Sequence, residues 1–327
     1  MLAASHVPQQ QTGHGRGMPP RPGARYLKSA LHFLTYAWQM KSSIVSAGQA
    51  FNMLKRTALK NAFPWTVQAG DERTIFMTND FNRKSSVADI EKRFDNDVDR
   101  FSNLDTGQSA TVDAPLAMSL ITRAAVAVNP NIRYVLDIGC GAGNNTLKLL
   151  QTIQSAECDL VDLSMPMLQR AKERVDAVNP GSTRIFQGDI RELSLPEGRY
   201  DTVLAAAVLH HLREDQDWLN VFSKIYRLIA RGGSFWITDL VIHENEAVHG
   251  MMWQQYADHL TAVGREMYGD AHAETYRDKV FEYIEIEDTP RPVTYQLEML
   301  KRVGFEQVDI LHKNSCFAAF GGIKTRD

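Results

Sequence analysis

The stretch VLDIGCGAGNNT, residues 135–146, decides the fold. Its first four residues are apolar apart from one acid, which suits a buried strand. Three glycines at alternate positions follow, Gly139, Gly141 and Gly143, and then the polar start of a helix. Glycine at such a strand-to-helix turn lets the backbone reverse tightly and leaves room for a ligand where a Cβ would intrude. The next helix, opening at Asn144 or Asn145, aims its free amide groups into the same crevice. The loop lacks the last glycine of a G-x-G-x-x-G dinucleotide fingerprint, because Asn stands at position 144. The acid within the strand, Asp137, suits a cationic or amino-bearing ligand better than a pyrophosphate. Cys140, inside the loop, reads as a small packing residue.

Outward from this turn, short β-rich runs alternate with helical ones. Tyr134–Ile138, Cys158–Val161, Thr183–Phe186, Tyr200–Ala206 and Ser234–Thr238 read as strands; Thr146–Ser155, Pro166–Val178 and Trp218–Ile229 read as helices. Such alternation predicts an α/β domain, a mostly parallel sheet with helices on both faces, and it places the chemistry at the carboxyl ends of the strands. The second strand ends at Asp162, which lies 23 residues past Gly139, near the spacing at which an acid meets ribose hydroxyls. A carboxylate accepts two hydroxyl hydrogen bonds at once and so fixes a sugar. After the third strand, Gly188-Asp189-Ile190 places an acid to accept from an exocyclic adenine amine, with Leu163 and Ile190 on either side of the ring. The fourth strand, YDTVLAAAVLHHL from Tyr200 to Leu212, ends in small residues including Ala206, and then in His210 and His211. One of these histidines is a candidate pocket residue and general base; His pairs also cap and pack, and their ordinary pKa permits the role without diagnosing it. The plainer alternatives are a purely structural turn for the glycines, a loop acid for Asp162 and a common Gly-Asp turn for Asp189.

Before this core, Ile90, Phe94, Val98 and Phe101 fall at helical spacing, and Pro115 can open a helix through Val128 with Leu116, Leu120 and Ala124 on one face. After the fifth strand, a helical insert over 244–288 carries Val248, Met252, Tyr256, His259, Leu260 and Val263 on an apolar face. Tyr256, His259, Arg265 and Tyr268 are candidates for a substrate lid, with core packing and a solvated helix charge as the alternatives. The expected acceptor pocket combines Phe101–Asp113, Val208–His211 and Tyr256–Tyr268, with Gln108, His210, Tyr256 and Arg265 as substrate residues.

The chain has 327 residues, 44% of them hydrophobic and 23% charged, an ordinary globular composition. Its net charge of −3 is unevenly spread. Residues 1–70 contain no acid but eight bases, whereas residues 77–327 contain 27 bases and 37 acids. Residues 1–25 have the Gln-, Gly-, Pro- and His-rich composition of a disordered segment. Leu27, Leu31, Leu34 and Trp38 suit a short amphipathic helix over 26–41. This basic extension, 1–76, reads as a transit peptide, a membrane-surface helix, or a stretch upstream of the true start, since ordinary composition opens at Met77. The domain expected to fold is 77–327. Its acidic balance disfavours nucleic acid. Three scattered cysteines offer neither a disulfide framework nor zinc spacing, so no metal is expected and a reducing, cytoplasmic setting fits, or a mitochondrial one if the extension is a transit peptide. No apolar run approaches the roughly 18 residues of a membrane span. A homodimer is compatible with all of this.

Together the elements resemble the class I S-adenosylmethionine (SAM)-dependent methyltransferases. The glycine motif matches at Asp137, Gly139, Gly141 and Gly143, the ribose acid at Asp162, the adenine motif at Gly188 and Asp189, and the fifth strand at LIARGGSFWITD, residues 228–239. The resemblance implies a Rossmann-like seven-stranded sheet with an antiparallel edge hairpin, here Gln307–His312 and Cys316–Ile323. It implies SAM as cofactor, S-adenosylhomocysteine as product, and cofactor contacts that add Cys140, Leu163, Met167, Ile190 and Ala206. Methyl transfer from a sulfonium is an in-line displacement that needs alignment and exclusion of water but no universal catalytic residue. The expected reaction is methylation of a small molecule. The segment DLSMPMLQRAKERV (162–175), the stretch 94–116 and the tail 300–324 also resemble the carboxy-SAM synthases of the tRNA wobble-uridine pathway, which implies carboxy-SAM as an alternative ligand and a tRNA-modification role. In those enzymes an Arg holds the extra carboxylate, and Arg265 is its nearest counterpart. The family's Tyr and Asn stand near Gln108 and Ala206 here.

Overall fold

The computed structural model describes residues 84–103 and 107–326. The expectations for residues 1–76, the short helix over 26–41 included, lie outside the described residues. The described chain opens with α1 (Val87–Asp95), α2 (Val98–Phe101) and α3 (Ala114–Val128). Ser86 starts α1 through a capping box: its hydroxyl accepts from the Asp89 amide, and Asp89 reaches back to the Ser86 amide. Pro115 sits in the first turn of α3, where its missing N–H has no helical partner to lose. The buried face of α3 is Ala117, Met118, Ile121, Thr122 and Ala125, whereas Leu116 is 49% exposed. The expected face through Leu116, Leu120 and Ala124 is thus rotated by one position, because the Ala117–Ile121–Ala125 stripe approaches the sheet more closely.

The sheet then follows: β1 (Tyr134–Ile138), α4 (Asn144–Leu150), β2 (Glu157–Asp162), α5 (Met165–Asp176), β3 (Thr183–Gln187), β4 (Tyr200–Ala206), α6 (Asp215–Leu228) and β5 (Ile229–Leu240). An insert of α7 (Glu246–Tyr268) and α8 (Ala273–Glu287) precedes α9 (Val293–Val303), β6 (Glu306–Asn314) and β7 (Phe317–Ile323). The seven strands run in the order β3-β2-β1-β4-β5-β7-β6. The first five pair in parallel, and β7 is antiparallel to both β5 and β6. This is the expected Rossmann-like sheet with its edge hairpin.

Side-chain alternation along the strands divides the core between the two faces. Leu136, Ile138, Val203, Phe235 and Ile237 pack on one side with Trp218, Phe222 and Leu300 of α6 and α9. Val135, Leu160, Leu204 and Trp236 pack on the other with Ile121, Leu149 and Leu168 of α3, α4 and α5. Strands buried on both faces read as continuous apolar runs, which is why they are visible in the sequence. Two boundaries differ from expectation by five residues. The fourth helix stops at Leu150 rather than Ser155, because the Thr152 hydroxyl turns back onto the Leu149 carbonyl at 2.7 Å and competes with the helix. The fifth strand begins at Ile229 rather than Ser234: its register with β4 slips between Tyr200 and Thr202, and Gly232, at φ +82°, takes up the irregularity.

Candidate active site

The glycine loop is held from two sides. Asp137, fully buried beneath it, accepts from the Thr146 amide at 3.2 Å and from its hydroxyl at 2.7 Å through Oδ2, which anchors the start of α4. Burial pushes its carboxyl up to about 7, partly opposed by the Thr146 bonds. The expected contact of Asp137 with a cationic ligand is therefore corrected: the side chain supports the loop from below and does not line the cavity. Asp162, at the end of β2, fixes the loop's upper side. Its Oδ2 accepts from the Gly141 amide at 2.8 Å and its Oδ1 from the Ser164 amide at 2.9 Å. Burial raises its pKa, with these amides pulling the other way. Each carboxylate oxygen has two lone pairs, so Asp162 retains acceptor capacity toward the cavity it lines. Gly139 and Gly143, at φ +64° and +83°, hold conformations that disfavour a side chain, and a Cβ on Gly139 would stand 2.6 Å from Val208 Cγ2.

A cavity of about 410 Å³ opens above this loop. From the sheet it is lined by Gly139, Cys140, Gly141, Asp162, Leu163, Met167, Ala206, His210 and His211. From the helices it is lined by Phe94, Phe101, Gln108, Tyr256 and Tyr268, joined by Tyr276, Tyr283 and Asp288 from α8 and its end. The structure thus brings together, around one space, residues proposed for cofactor and for substrate. The three expected segments, Phe101–Asp113, Val208–His211 and Tyr256–Tyr268, all contribute to its wall.

Five sequence-derived candidates besides Asp137 stand elsewhere. Gly143 lies behind the loop, where a Cβ would meet Ala171 at 3.2 Å. Gly188, Asp189 and Ile190 form a turn outside the cavity lining. Although burial alone would raise its pKa, Asp189 is held below the ordinary carboxylate range by Arg191, whose guanidinium grips Oδ2 at 2.6 Å. Ile190 is 7% exposed and sits in the core, and its carbonyl accepts from Lys224. Arg265 is the clearest correction: its side chain is 58% exposed and paired with Asp270 at 2.6 Å, on the solvent side of α7. It does not enter the cavity, because the buried stripe of α7 is Tyr256, Ala257, Leu260 and Gly264.

The titratable centre of the cavity is a cluster that sequence reading found only in half. His210 is buried, with Nδ1 hydrogen-bonded to Asp239 Oδ1 and Nε2 3.6 Å from Asp288 Oδ1. Burial alone would lower its pKa, but Asp288 and Asp239 together raise it to about 9. His211 Nδ1 stands 3.1 Å from the same Asp288 oxygen. Asp239 was present in the quoted fifth-strand motif. Asp288 was not legible, since it ends the insert in an unremarkable acidic run, and the fold alone carries it to the histidines through the Thr289 amide's 2.6 Å bond to the His210 carbonyl. Beside them, Arg93 forms a bidentate pair with Glu287.

Parts of the chain are similar to known proteins. Residues 135–233 match a family model described as a methyltransferase domain. An uncharacterised methyltransferase of Anoxybacillus flavithermus is 30% identical over 118 residues, 36% of this chain and 52% of that protein. The carboxy-S-adenosyl-L-methionine synthase of Photobacterium profundum is 24% identical over 195 residues, 58% of this chain and 75% of that protein. Among solved structures, the 1,6-didemethyltoxoflavin-N1-methyltransferase of Burkholderia thailandensis superposes with a TM-score of 0.48 and 18% identity over 73% of this chain and 88% of that one. The chain spans about half the length of the first of these relatives. Over residues 135–233 the sheet domain thus resembles a methyltransferase domain. No helix among the described residues is long and apolar enough to cross a membrane.

Proposed function

We propose that this protein binds SAM against the glycine loop and transfers its methyl group to a small-molecule acceptor held in the same cavity. One observation carries the reading. Asp162, Leu163, Met167 and the open backbone at Gly141 share a single space with the aromatic residues of the helical insert. The residues fit the cofactor's chemistry: a carboxylate with spare acceptor capacity suits a ribose diol, and Leu163 and Met167 offer an apolar wall for a ring. A Cβ built on Gly141 meets nothing within 4 Å, so the loop leaves open space there. When bound, SAM supplies a methyl already activated on a sulfonium sulfur. The chain's own residues then have two tasks. The cofactor half orients the donor, and Phe94, Phe101, Tyr256, Tyr276 and Tyr283 exclude water and align the acceptor for in-line attack. His210 and His211 face the space into which an acceptor's proton is released.

The excess of acids over bases from residue 77 onward favours a small acceptor over RNA. All three cysteines are buried free thiols, in keeping with a reducing compartment such as the cytoplasm. The carboxy-SAM reading is favoured by the synthase relative; of the cavity's cations, Arg93 is paired with Glu287 and Arg100 with Asp97, while Lys279 lies over the Tyr283 ring. Mass spectrometry of the ligand that copurifies with the full chain tests both readings. SAM or S-adenosylhomocysteine is the expected result; carboxy-SAM would transfer the assignment to the second reading, and a ligand of unrelated chemistry would overturn both.

A further inference from the structure

The His210, His211 and Asp288 side chains face one another as ligands of a common ion do. Their three nearest atoms, His210 Nε2, His211 Nδ1 and Asp288 Oδ1, lie within 4.8 Å of one another. Asp288 Oδ1 is 3.1 Å from the one nitrogen and 3.6 Å from the other. Two ligand atoms each about 2.0–2.1 Å from a tetrahedral ion stand roughly 3.4 Å apart, close to both carboxylate-to-nitrogen distances. His211 Nδ1 and Asp288 Oδ1 are both buried, and apart from their 3.1 Å contact with each other neither has a hydrogen-bond partner. The surroundings point the same way. Asp239 Oδ1 holds Nδ1 of His210 and turns Nε2 toward Asp288, where an ion would take the place of the Nε2 proton. Asp239 Oδ2 also accepts from the His210 amide at 3.0 Å, so the ring is set rigidly. A carboxylate behind a ligating histidine is the usual outer partner of a metal site.

We propose that His210, His211 and Asp288 form a binding site for a divalent transition-metal ion of the zinc class, with an open coordination position facing the cavity. Two imidazoles and a carboxylate suit such ions better than calcium or magnesium, which prefer all-oxygen sets. Three protein ligands leave room for a further one. All three residues line the cavity. That open position takes an oxygen or nitrogen of the molecule bound there and orients it; this role, unlike the ion site itself, rests on the methyltransferase reading.

The full chain, stripped with a chelator and dialysed, is titrated with Zn²⁺ against a chromogenic competitor and separately with Co²⁺ followed by visible absorption. One equivalent of Zn²⁺ and a Co²⁺ spectrum of tetrahedral or five-coordinate intensity are expected. Asp288→Asn and His211→Gln should each weaken Zn²⁺ binding by at least about 100-fold, the upper range for losing an outer-shell partner, since each removes a ligand itself. His249→Gln should not, although His249 and His243 form the other close histidine pair among the described residues, with ring centroids 6.1 Å apart. Circular dichroism checks that each variant folds, and His211→Gln, at a position with 19% side-chain exposure, serves if Asp288→Asn does not. A parent chain that takes up no Zn²⁺, or variants that bind it as the parent does, overturns the site. S-adenosylhomocysteine binding, measured on the same samples, separates this outcome from a failure of the functional reading.

Discussion

Replacing Gly139 with alanine tests whether the glycine loop is shaped by contact with the fourth-strand loop. Gly139 sits at φ +64°, and a Cβ there would lie 2.6 Å from Val208 Cγ2 and 2.7 Å from Val208 Cβ. Left-handed backbone costs a non-glycine residue about 1–2 kcal/mol. Crowding a packed site costs about 1–3 kcal/mol, and Val208, branched at Cβ, cannot swing aside cheaply. Alanine restricts the unfolded chain and returns about 0.4–1 kcal/mol. The expected net loss is roughly 1–5 kcal/mol on these terms. Denaturant unfolding of the parent, Gly139→Ala, Val208→Ala and the double variant measures it. In the double variant the crowding is relieved but the backbone cost remains, so the two substitutions should be non-additive by about 1–3 kcal/mol. A Gly139→Ala chain as stable as the parent, or strictly additive effects, would show that the contact does not shape the loop.

Other outcomes follow from the same site. Asp162→Ala should lose at least about 1.5 kcal/mol of S-adenosylhomocysteine affinity, the scale of a hydrogen bond to a charged group; unchanged calorimetric affinity would remove Asp162 from the ribose. Asp137 has a pKa of about 7 in the folded chain, against 3.8 for the ordinary group. The folded state therefore binds more protons than the unfolded one between these values, and the stability tied to its neutral form is lost as pH rises through 7. At most about 4 kcal/mol is at stake. Asp137→Asn should flatten that fall in denaturant titrations from pH 4 to 8, and a slope equal to the parent's would refute the assignment. A chain beginning at Met77 should fold and bind ligand as the full chain does, because residues 84–326 complete their own sheet and core; a molten product would move the domain boundary.

The sheet was legible because its signals are local. An apolar run bounded by glycines marks a strand buried on both faces, and the Gly139–Gly143 spacing marks the turn at its end. Asp162 was legible for the same reason, being tied by chain distance to the turn it serves. The helical insert was visible as a pattern, yet which face points inward was not. Tyr256 and Arg265 share a helix, and only packing against Phe281 and Phe317 turns the first to the cavity and leaves the second in solvent. Asp137 and Asp189 show the limit of motif reading. An acid at a ligand-rich strand end can equally bond the chain itself, to Thr146 in one case and Arg191 in the other. The His210–Asp239–Asp288 cluster spans the fourth strand's end, the fifth strand and the end of the insert, so no spacing rule joins its members.

Isothermal calorimetry of S-adenosylhomocysteine binding to the full chain tests the central claim most directly. The account predicts saturable binding of one molecule per chain, weakened in the Asp162→Ala variant and competed by SAM. A folded chain that gives no binding at millimolar ligand would contradict it.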